Sequence, residues 1–599
     1  MGLPPSCRRK AQRPLYINLL NCKYDVLRTV AQRLGWQLAG DEEWDVFWTD
    51  TSVSLDRVMR LQSTQKINHF TGMLEICRKK ALARAMATMV QAGFADHYNF
   101  TPNTLVLPDQ LDDLLLLLRG KKRKTFILKP DSGCQGKGIR LVQTGEAALH
   151  ALQDLGWPDL VACRYIHKPL LVEGRKFDLR VYALVTQCDP LCVFVYREGL
   201  ARFCTIPYER PQEGNLDSAY MHLTNYAINK HNENFVSNAH GGADEAGSKW
   251  SLAALREWMC RQGLDYDAVW KRIQDTVVKS IIAIQPLLRQ NYRTALPAPD
   301  NDGRSCFEIL GFDILLDEAC RPWLMEVNHS PSFAVDTPLD ATLKEQLVLD
   351  TLKLVGISST RIAKIKLAER KAAEERLLGT AGRTNEAGES KRKQDTYEAH
   401  HKGNYTRAYP SSDPCIQALY ERLLEGAEKA FAASHHAKVL ENIERLQVLK
   451  HQRQAEALAE EVRLKARTAM LRNIVLRRGE KHRHQIKHLK QPSVCARVGE
   501  VSMAEPTQSA GSPPASSIDE DSLGQPSMAH SARRMIPQLL LSFSDTGAAR
   551  RQPVLKPARR TSDAVPARFQ SRRDMGLIKE DNWASFLVLR SLNTAQSST

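Results

Sequence analysis

Two apolar segments in the middle of the chain carry charges where charges cost most. "FEILGFDILLD" (residues 307–317) and "WLMEVN" (residues 323–328) read as a strand, a turn and a second strand, yet they hold Asp313 and Glu326. An ionised carboxylate buried without a partner is heavily penalised, so these two need a purpose. Residues two apart in a strand face the same side. Glu326 and Asn328 therefore point together, Val327 turns into the core, and Asp313 on the neighbouring strand can join them. Two carboxylates and an amide carbonyl are hard oxygen ligands suited to Mg²⁺. A solvated strand face followed by an Asn turn is the competing reading, and the apolar flanks weigh against it.

Alternating patterns continue on either side. "TFILKP" is an apolar strand with Lys129 near its end, and "KFDLRVYALVT" and "LCVFVYREGLARFCTI" are a strand pair around an Asp189-Pro190 turn. "LYINLLNCKYDVLRTVAQRLGW" reads as strand, turn and helix, and "DVFWTD" as a further short strand, which together make a small N-terminal α/β lobe. Residues 68–118 read as mainly helical, and "WSLAALREWMCRQG" and "YDAVWKRIQDTVVKSIIAIQPLLRQNY" have helical periodicity. The mixture predicts an α/β (mixed α+β) core ending near residue 355. "TRIAKIKLAERKAAEERLL" then reads as a cationic helix, residues 379–412 as polar loop, and 413–490 as a long charged helix. Residues 1–13 form a disordered basic leader. The Ser-, Pro-, Ala- and Arg-rich stretch 491–599 reads as a disordered tail.

Composition narrows the partners. A chain of 599 residues has room for several domains, and a formal charge of +16 favours an acidic partner: nucleic acid, an anionic membrane or an acidic protein. The thirteen cysteines include no CxxC pair, which favours free thiols over a zinc site or a disulfide framework. No apolar run approaches the roughly 20 residues of a membrane span, and the basic N-terminus lacks a signal-peptide core. Met1-Gly2-Leu3-Pro4-Pro5-Ser6 formally fits the N-myristoylation pattern, with Cys7 as a second acyl site, but the double proline is unusual inside it and an unmodified leader is preferred.

"ILKPDSGCQGKGI" (residues 127–139) places Lys129 before a loop containing Gly133, Gly136 and Gly138. Such a loop lets backbone N–H groups approach phosphate oxygens while the lysine supplies a fixed charge. It is not a Walker A loop, and no HRD segment marks a protein kinase. Alone, an ordinary glycine-rich hairpin explains it equally well. A cationic group follows: Arg175, Lys176 and Arg180 in "GRKFDLRVY", Arg202 in "GLARF", and Thr224, Asn225 and Lys230 in "HLTNYAINK". Arginine forks bind carboxylates and phosphates at two points; any one of them alone reads as a solvated face.

Taken in order, "FILKPDSGCQGKGI", "GRKFDLRVYALV", "YREGLARF", "HLTNYAINK", "FEILGFDILLD" and "WLMEVNHSPS" resemble the tubulin–tyrosine-ligase-like family over about residues 14–375. Within that family the chain looks most like the polyglutamylase branch and its chain-elongating members. The resemblance implies an ATP-grasp ligase core over residues 14–355. It implies phosphate-side ATP contacts from Lys129, Gln135 and Gly136, an adenine hinge at Cys163, Arg164, Tyr165 and Ile166, and further nucleotide contacts from Lys176, Phe177, Asp178, Thr224 and Asn225. Asp313, Glu326 and Asn328 match ligands of magnesium, two ions in all. Arg202, Tyr226, Lys249 and Lys344 look like the pocket of the incoming glutamate. His329 resembles a position facing the acceptor, where histidine suits extension of a branch rather than its initiation. Lys129, Arg180, Glu326 and His329 are the candidate catalytic residues. The basic stretch 338–412 matches a microtubule-binding region. Cys163 departs from the family, which often has Gln there, and the tail resembles nothing in it.

The implied reaction joins L-glutamate to glutamate side chains or existing branches of acidic tubulin tails. ATP would first convert the acceptor carboxylate into an acyl phosphate, which the donor amine then attacks. No residue stands out as the general base. The expected partners are tubulin and free glutamate, with no nucleic acid and no transmembrane segment, in a monomer of the cytoplasm and cytoskeleton, including the cilium, basal body or centriole. Rival readings are a ligase of small molecules, a glycylase or a glutamylase of another acidic protein, an inactive microtubule binder, and a nucleic-acid binder. The long basic extension disfavours the first, the Asp313–Glu326–Asn328 set an inactive binder, and the lack of a reading motif the last.

Overall fold

The structure, a computed structural model, describes residues 13–488 apart from 42, 121–122, 134–135, 157–158, 238–246, 298–300 and 379–386. Residues 1–12 of the leader, Gly2 among them, Gln135 and the tail lie outside the described residues, whereas Arg13, expected within the leader, pairs with Asp45 at 2.9 Å.

Three sheets organise the chain. The first is parallel: β1 (Tyr16–Asn18), β2 (Gln37–Ala39), β3 (Val46–Phe47) and β4 (Lys66–Ile67), in the order β2-β1-β3-β4. The helix Asp25–Arg33 that joins β1 to β2 buries Val26, Leu27, Val30 and Ala31, one face at helical spacing. The second sheet is antiparallel: β5 (Thr104–Leu107), β6 (Phe126–Pro130), β7 (Arg140–Val142) and β8 (Leu160–Arg164), in the order β5-β8-β6-β7. The third is the largest: β9 (Leu171–Val172), β10 (Arg175–Cys188), β11 (Leu191–Phe203), β12 (Lys249–Ser251), β13 (Glu308–Leu316), β14 (Pro322–Asn328) and β15 (Tyr405–Tyr409). Its main path runs β12-β11-β10-β13-β14, with β9 on β10 and β15 on β11.

Period-two alternation along β10 decides what each face does. Leu179, Val181, Ala183 and Val185 enter one core, shared with the helices Leu252–Arg261, Tyr266–Ile282 and Gln285–Ala295. Tyr182 and Leu184 enter a second core under the helix Pro338–Leu354. On that second face, the residues before Tyr182 are Lys176, Asp178 and Arg180. One face of a single strand is thus apolar where a helix covers it and charged where the helix ends.

The strand pair around Asp189-Pro190, the β13–β14 pair and the cationic helix at Ser359–Leu377 match the sequence expectations. Three features differ. Strand β5 interrupts the stretch 68–118, whose brief apolar run "TLVL" does not distinguish strand from helix. The segment 379–412 contains a helix, Ala387–His401, and β15. Strand β15 is polar in composition, and its pairing partner β11 lies some 200 positions earlier, so nothing local announces it. Its Tyr405 is fully buried, with its ring 4.8 Å from that of Tyr196 and its hydroxyl 2.7 Å from Thr351 Oγ1. Finally, the first part of 338–412 is no cationic surface, because the helix Pro338–Leu354 buries Leu343, Leu347, Val348 and Leu352.

The helix Pro414–His488 has two regimes. Tyr420, Leu423 and Ala427 are buried in the first core, the Tyr420 hydroxyl donates to Asp275 at 3.1 Å, and Arg289 pairs with Glu428 at 2.6 Å. From residue 445 to 479 every side chain is exposed. Among the described residues no helix is long and apolar enough to cross a membrane.

Candidate active site

The charged end of β10 faces a cavity of about 740 Å³, within the usual range for ligand sites. Its walls come from β6 and the following loop, residues 164–166, β10 to β14, residues 222–230 and 329–336, and the helix Pro338–Leu354. Eight lysines and four arginines line it against five aspartates and one glutamate, which suits a polyanionic ligand.

Strand register arranges two rows across the floor. Asp178 on β10 lies opposite Arg202 on β11, which lies opposite Lys249 on β12. Arg180 on β10 lies opposite Asp313 on β13, which lies opposite Glu326 on β14. Arg202 makes a two-point contact with Asp178 at 2.7 and 2.6 Å and reaches Asp313 at 2.9 Å. Arg180 grips Asp313 at 2.6 and 3.2 Å, and the Thr224 hydroxyl donates to Asp178 at 2.6 Å. Burial alone would raise the Asp313 carboxyl, but Arg180 and Arg202 outweigh it and hold it below the usual carboxylate range. Glu326 has no such clamp. Burial and then the negative charge of Asp313 push it up, and Lys79 is 3.7 Å away. The Asn328 amide donates to Gly311 O at 3.3 Å and approaches Asp313 at 3.4 Å. Asp313, Glu326 and Asn328 thus meet on adjoining strands as the alternation predicted. A hard divalent cation fits this donor set, because it would relieve the repulsion that raises Glu326.

The opposite wall is cationic. Lys129 is 7% exposed and makes no side-chain hydrogen bond among the described residues, a costly state that an anionic ligand would remedy. Lys176 donates to Tyr165 Oη at 3.0 Å and to His222 O at 2.8 Å, and burial lowers its pKa. Gly136 has φ +77°, and a Cβ there would come within 2.2 Å of Ile228, so the loop needs glycine at that point for both its backbone and its contact. Arg164, Tyr165, Ile166, Thr224 and Asn225 also line the cavity.

Two expected contacts are not on its wall. The Phe177 side chain lies on the other face of β10, packed on Phe203 with ring centroids 5.4 Å apart, as alternation between Lys176 and Asp178 requires. Cys163 is buried in an apolar cluster with Ile127 and Tyr165, its sulfur accepting from Thr104 at 3.4 Å, which leaves only its backbone to serve a ligand. Arg202, expected to clamp a donor carboxylate, already holds two aspartates.

A second cationic corner lies at the start of the helix Pro338–Leu354. Lys249 contacts Asp340 Oδ2 at 2.5 Å, and Lys344 contacts Asp340 Oδ1 at 2.9 Å. The Lys249 ammonium sits 4.1 Å from the Tyr226 ring centroid. The structure therefore brings Tyr226, Lys249 and Lys344 together, on an aspartate that the sequence reading passed over. Its signal was the "TPLD" cap, Thr337 three residues before Asp340, with Lys344 one turn later. Lys79 was also missed: it donates to Gly133 O at 3.0 Å and so links the glycine loop to Glu326.

His329 lines the cavity beside Asn328. Its Nδ1 is buried without a hydrogen-bond partner among the described residues, and burial, then His69 and Arg78, push its pKa down to about 4. His69, Glu308 and His329 bring ligand-type atoms within 4.8 Å of one another. However, His69 uses both ring nitrogens, on Glu308 at 2.8 Å and Thr49 O at 3.0 Å, and Glu308 also accepts from Phe70 N. This is a buried His–Glu pair that ties β13 to the loop after β4, with His329 edge-on at 5.7 Å.

Comparison with known proteins agrees with this geometry. The profile described as the tubulin-tyrosine ligase family matches residues 58–363. A mouse protein named tubulin polyglutamylase TTLL13 is 45% identical over 416 residues, 68% of this chain and 50% of that protein. A zebrafish protein named tubulin polyglutamylase ttll6 is 43% identical over 443 residues, 72% of this chain and 55% of that one. A Tetrahymena thermophila protein named probable beta-tubulin polyglutamylase is 39% identical over 414 residues, 67% of this chain and 34% of that one. The chain spans about half the length of the first two. A mixed α/β fold of ATP-grasp type, a phosphate-ready cavity and a profile match over half the sequence lead to one statement: the chain belongs to the tubulin-tyrosine ligase family.

Proposed function

We propose that this protein is a tubulin polyglutamylase, an ATP-dependent ligase that joins the amine of free L-glutamate to carboxylates of tubulin tails and favours the extension of existing branches. The observation that carries the reading is the meeting, in one cavity, of the buried Lys129, which makes no side-chain hydrogen bond among the described residues, with the Asp313–Glu326–Asn328 oxygen set. The names of the polyglutamylases that this chain resembles support the substrate. The proposal extends to Mg²⁺ as the cation, to residues 14–355 as the catalytic part, and to the basic surface after residue 355 as the part that meets the microtubule.

Two ionised groups do not form an amide in water, because a carboxylate is a poor electrophile. Phosphorylation of the acceptor carboxylate by ATP makes it reactive, and the donor amine then displaces phosphate. Lys129, Lys176 and the loop amides hold the phosphates in place, which is positioning and charge stabilisation rather than covalent chemistry. Asp313, Glu326 and Asn328 would hold magnesium, which when bound neutralises phosphate charge. Arg180 and Arg202 keep Asp313 ionised and aligned. Lys249, Lys344 and Tyr226 form the seat of the donor. His329, neutral at physiological pH, faces the acceptor, and the tautomer it adopts sets whether Nδ1 donates or accepts there.

The test uses purified protein, stabilised microtubules, Mg-ATP and radiolabelled glutamate, with Glu326→Gln beside the parent. Label in the tubulin band that disappears in Glu326→Gln is the expected result. Absence of label from the parent, with microtubule binding intact, would replace this reading with a glycine ligase, another acceptor or an inactive binder.

A further inference from the structure

Asp340 is the buried acid of this cavity for which the proposed chemistry has no use. Its side chain is 1% exposed, and its two oxygens take different ammonium groups: Oδ2 takes Lys249 from β12, and Oδ1 takes Lys344 from one turn further along its own helix. The Thr337 hydroxyl donates to Oδ2 at 2.9 Å while accepting from the Asp340 N–H at 3.2 Å, which fixes the carboxylate at the helix start. Lys344 also donates to Ala334 O, and Lys249 is packed on the Tyr226 ring. Burial would raise the Asp340 carboxyl, and Lys344 and Lys249 outweigh that and keep it ionised.

The two charge groups on the floor differ in how they are held. Arg180 and Arg202 face Asp178 and Asp313, two against two, and leave no surplus. Lys249 and Lys344 share Asp340, and Asp336 on the same wall adds a negative charge that acts on Lys344. Resting on the glutamate-ligase reading, we infer that Asp340 is the positioning residue of the donor pocket: it clamps two lysines from separate elements at one spacing, so that together they can receive a carboxylate of the incoming amino acid. Without it, two ammonium groups a few ångströms apart repel, and the receptor for that carboxylate spreads.

The deciding measurement is steady-state kinetics of the full chain with stabilised microtubules, varying glutamate and ATP separately. Asp340→Asn is expected to raise KM for glutamate at least tenfold with KM for ATP within twofold, and Asp340→Glu to recover part of the loss. Lys344→Met should raise the same KM, and the double variant Asp340→Asn with Lys344→Met should be little worse than either single change. An unchanged glutamate KM, or equal losses for glutamate and ATP, would overturn the inference. Should Asp340→Asn fail to fold, Thr337→Val keeps both charges and removes only the hydroxyl, with a threefold to fivefold rise in glutamate KM expected. Competitive acylation of lysines, read by peptide mass spectrometry, needs no turnover. Lys249 and Lys344 should label several-fold faster in Asp340→Asn, or in Thr337→Val where the former does not fold, than in the parent, and equal rates would again overturn the inference. A parent that incorporates no glutamate defeats the functional reading instead, and the labelling result still decides the role of Asp340.

Discussion

The arginine rows and the lysine corner share one cavity floor but solve opposite problems. Arg180 and Arg202 are forks, and each meets a carboxylate at two points, so position and charge are both satisfied before any ligand arrives. Lys249 and Lys344 are point charges on flexible stems, and a shared aspartate has to position them. The first arrangement is scaffolding that orients Asp313. The second holds two ammonium groups side by side, where a ligand can reach both.

The sharpest way to break this contrast is Asp313→Asn. It takes from Arg180 the carboxylate it grips and leaves Arg202 on Asp178 alone, and removal of one partner from such a network costs about 3–5 kcal/mol. Chemical denaturation should register that loss, and ligation should fall by about a thousandfold or more, because a candidate metal ligand goes with it. Arg180→Lys tests the fork itself. It keeps the charge and loses the two-point grip, and kcat is expected to drop about tenfold to a hundredfold with little change in KM for either substrate. In the lysine corner Lys249→Met should act the other way round, with glutamate KM up about tenfold and kcat nearly kept. If Arg180→Lys moves KM and Lys249→Met moves kcat, the division between scaffold and receptor is wrong. The smallest effect concerns a buried lysine that has neither fork nor shared aspartate. Lys66 donates to Arg304 O at 2.7 Å, and burial, then Arg361, lower its pKa from 10.5 to about 7. The unfolded chain therefore holds more protons than the folded one between those values, so Lys66 adds stability as pH rises from 7 towards 10 and withholds it below 7. A gain of about 1–2 kcal/mol between pH 7 and 9 should appear in denaturation midpoints and vanish in Lys66→Met.

Much of the site could be read from residue patterns because period-two alternation is local. It put Glu326 with Asn328, and it would have excluded Phe177 had it been applied to "KFDLR" as it was to "LMEVN". Register is not local. That Asp178 faces Arg202, or that Arg180 faces Asp313 across 133 positions, depends on bulges and turn lengths that the one-dimensional pattern does not carry. The same limit hid β15, whose partner is distant, and Asp340, whose two lysines come from elements 95 residues apart. Arg202 was read as open to a donor because its two aspartates were not seen together. The long helix after residue 413 was legible from its composition alone, since helical runs need only their own sequence.

That helix turns residue number into length. At about 1.5 Å per residue, its 75 residues span roughly 110 Å. Tyr420, Leu423 and Glu428 anchor its first turns; the stretch 445–479 is an exposed strut supported by pairs such as Glu461–Lys465 at 2.7 Å. A strut transmits orientation as well as distance. Deleting four residues from its exposed part would shorten it by about 6 Å and turn everything beyond by about 40°, whereas deleting seven would shorten it by about 10 Å and turn it by only about 20°. Paired deletions of this kind would separate reach from angle in whatever the far end of the helix engages.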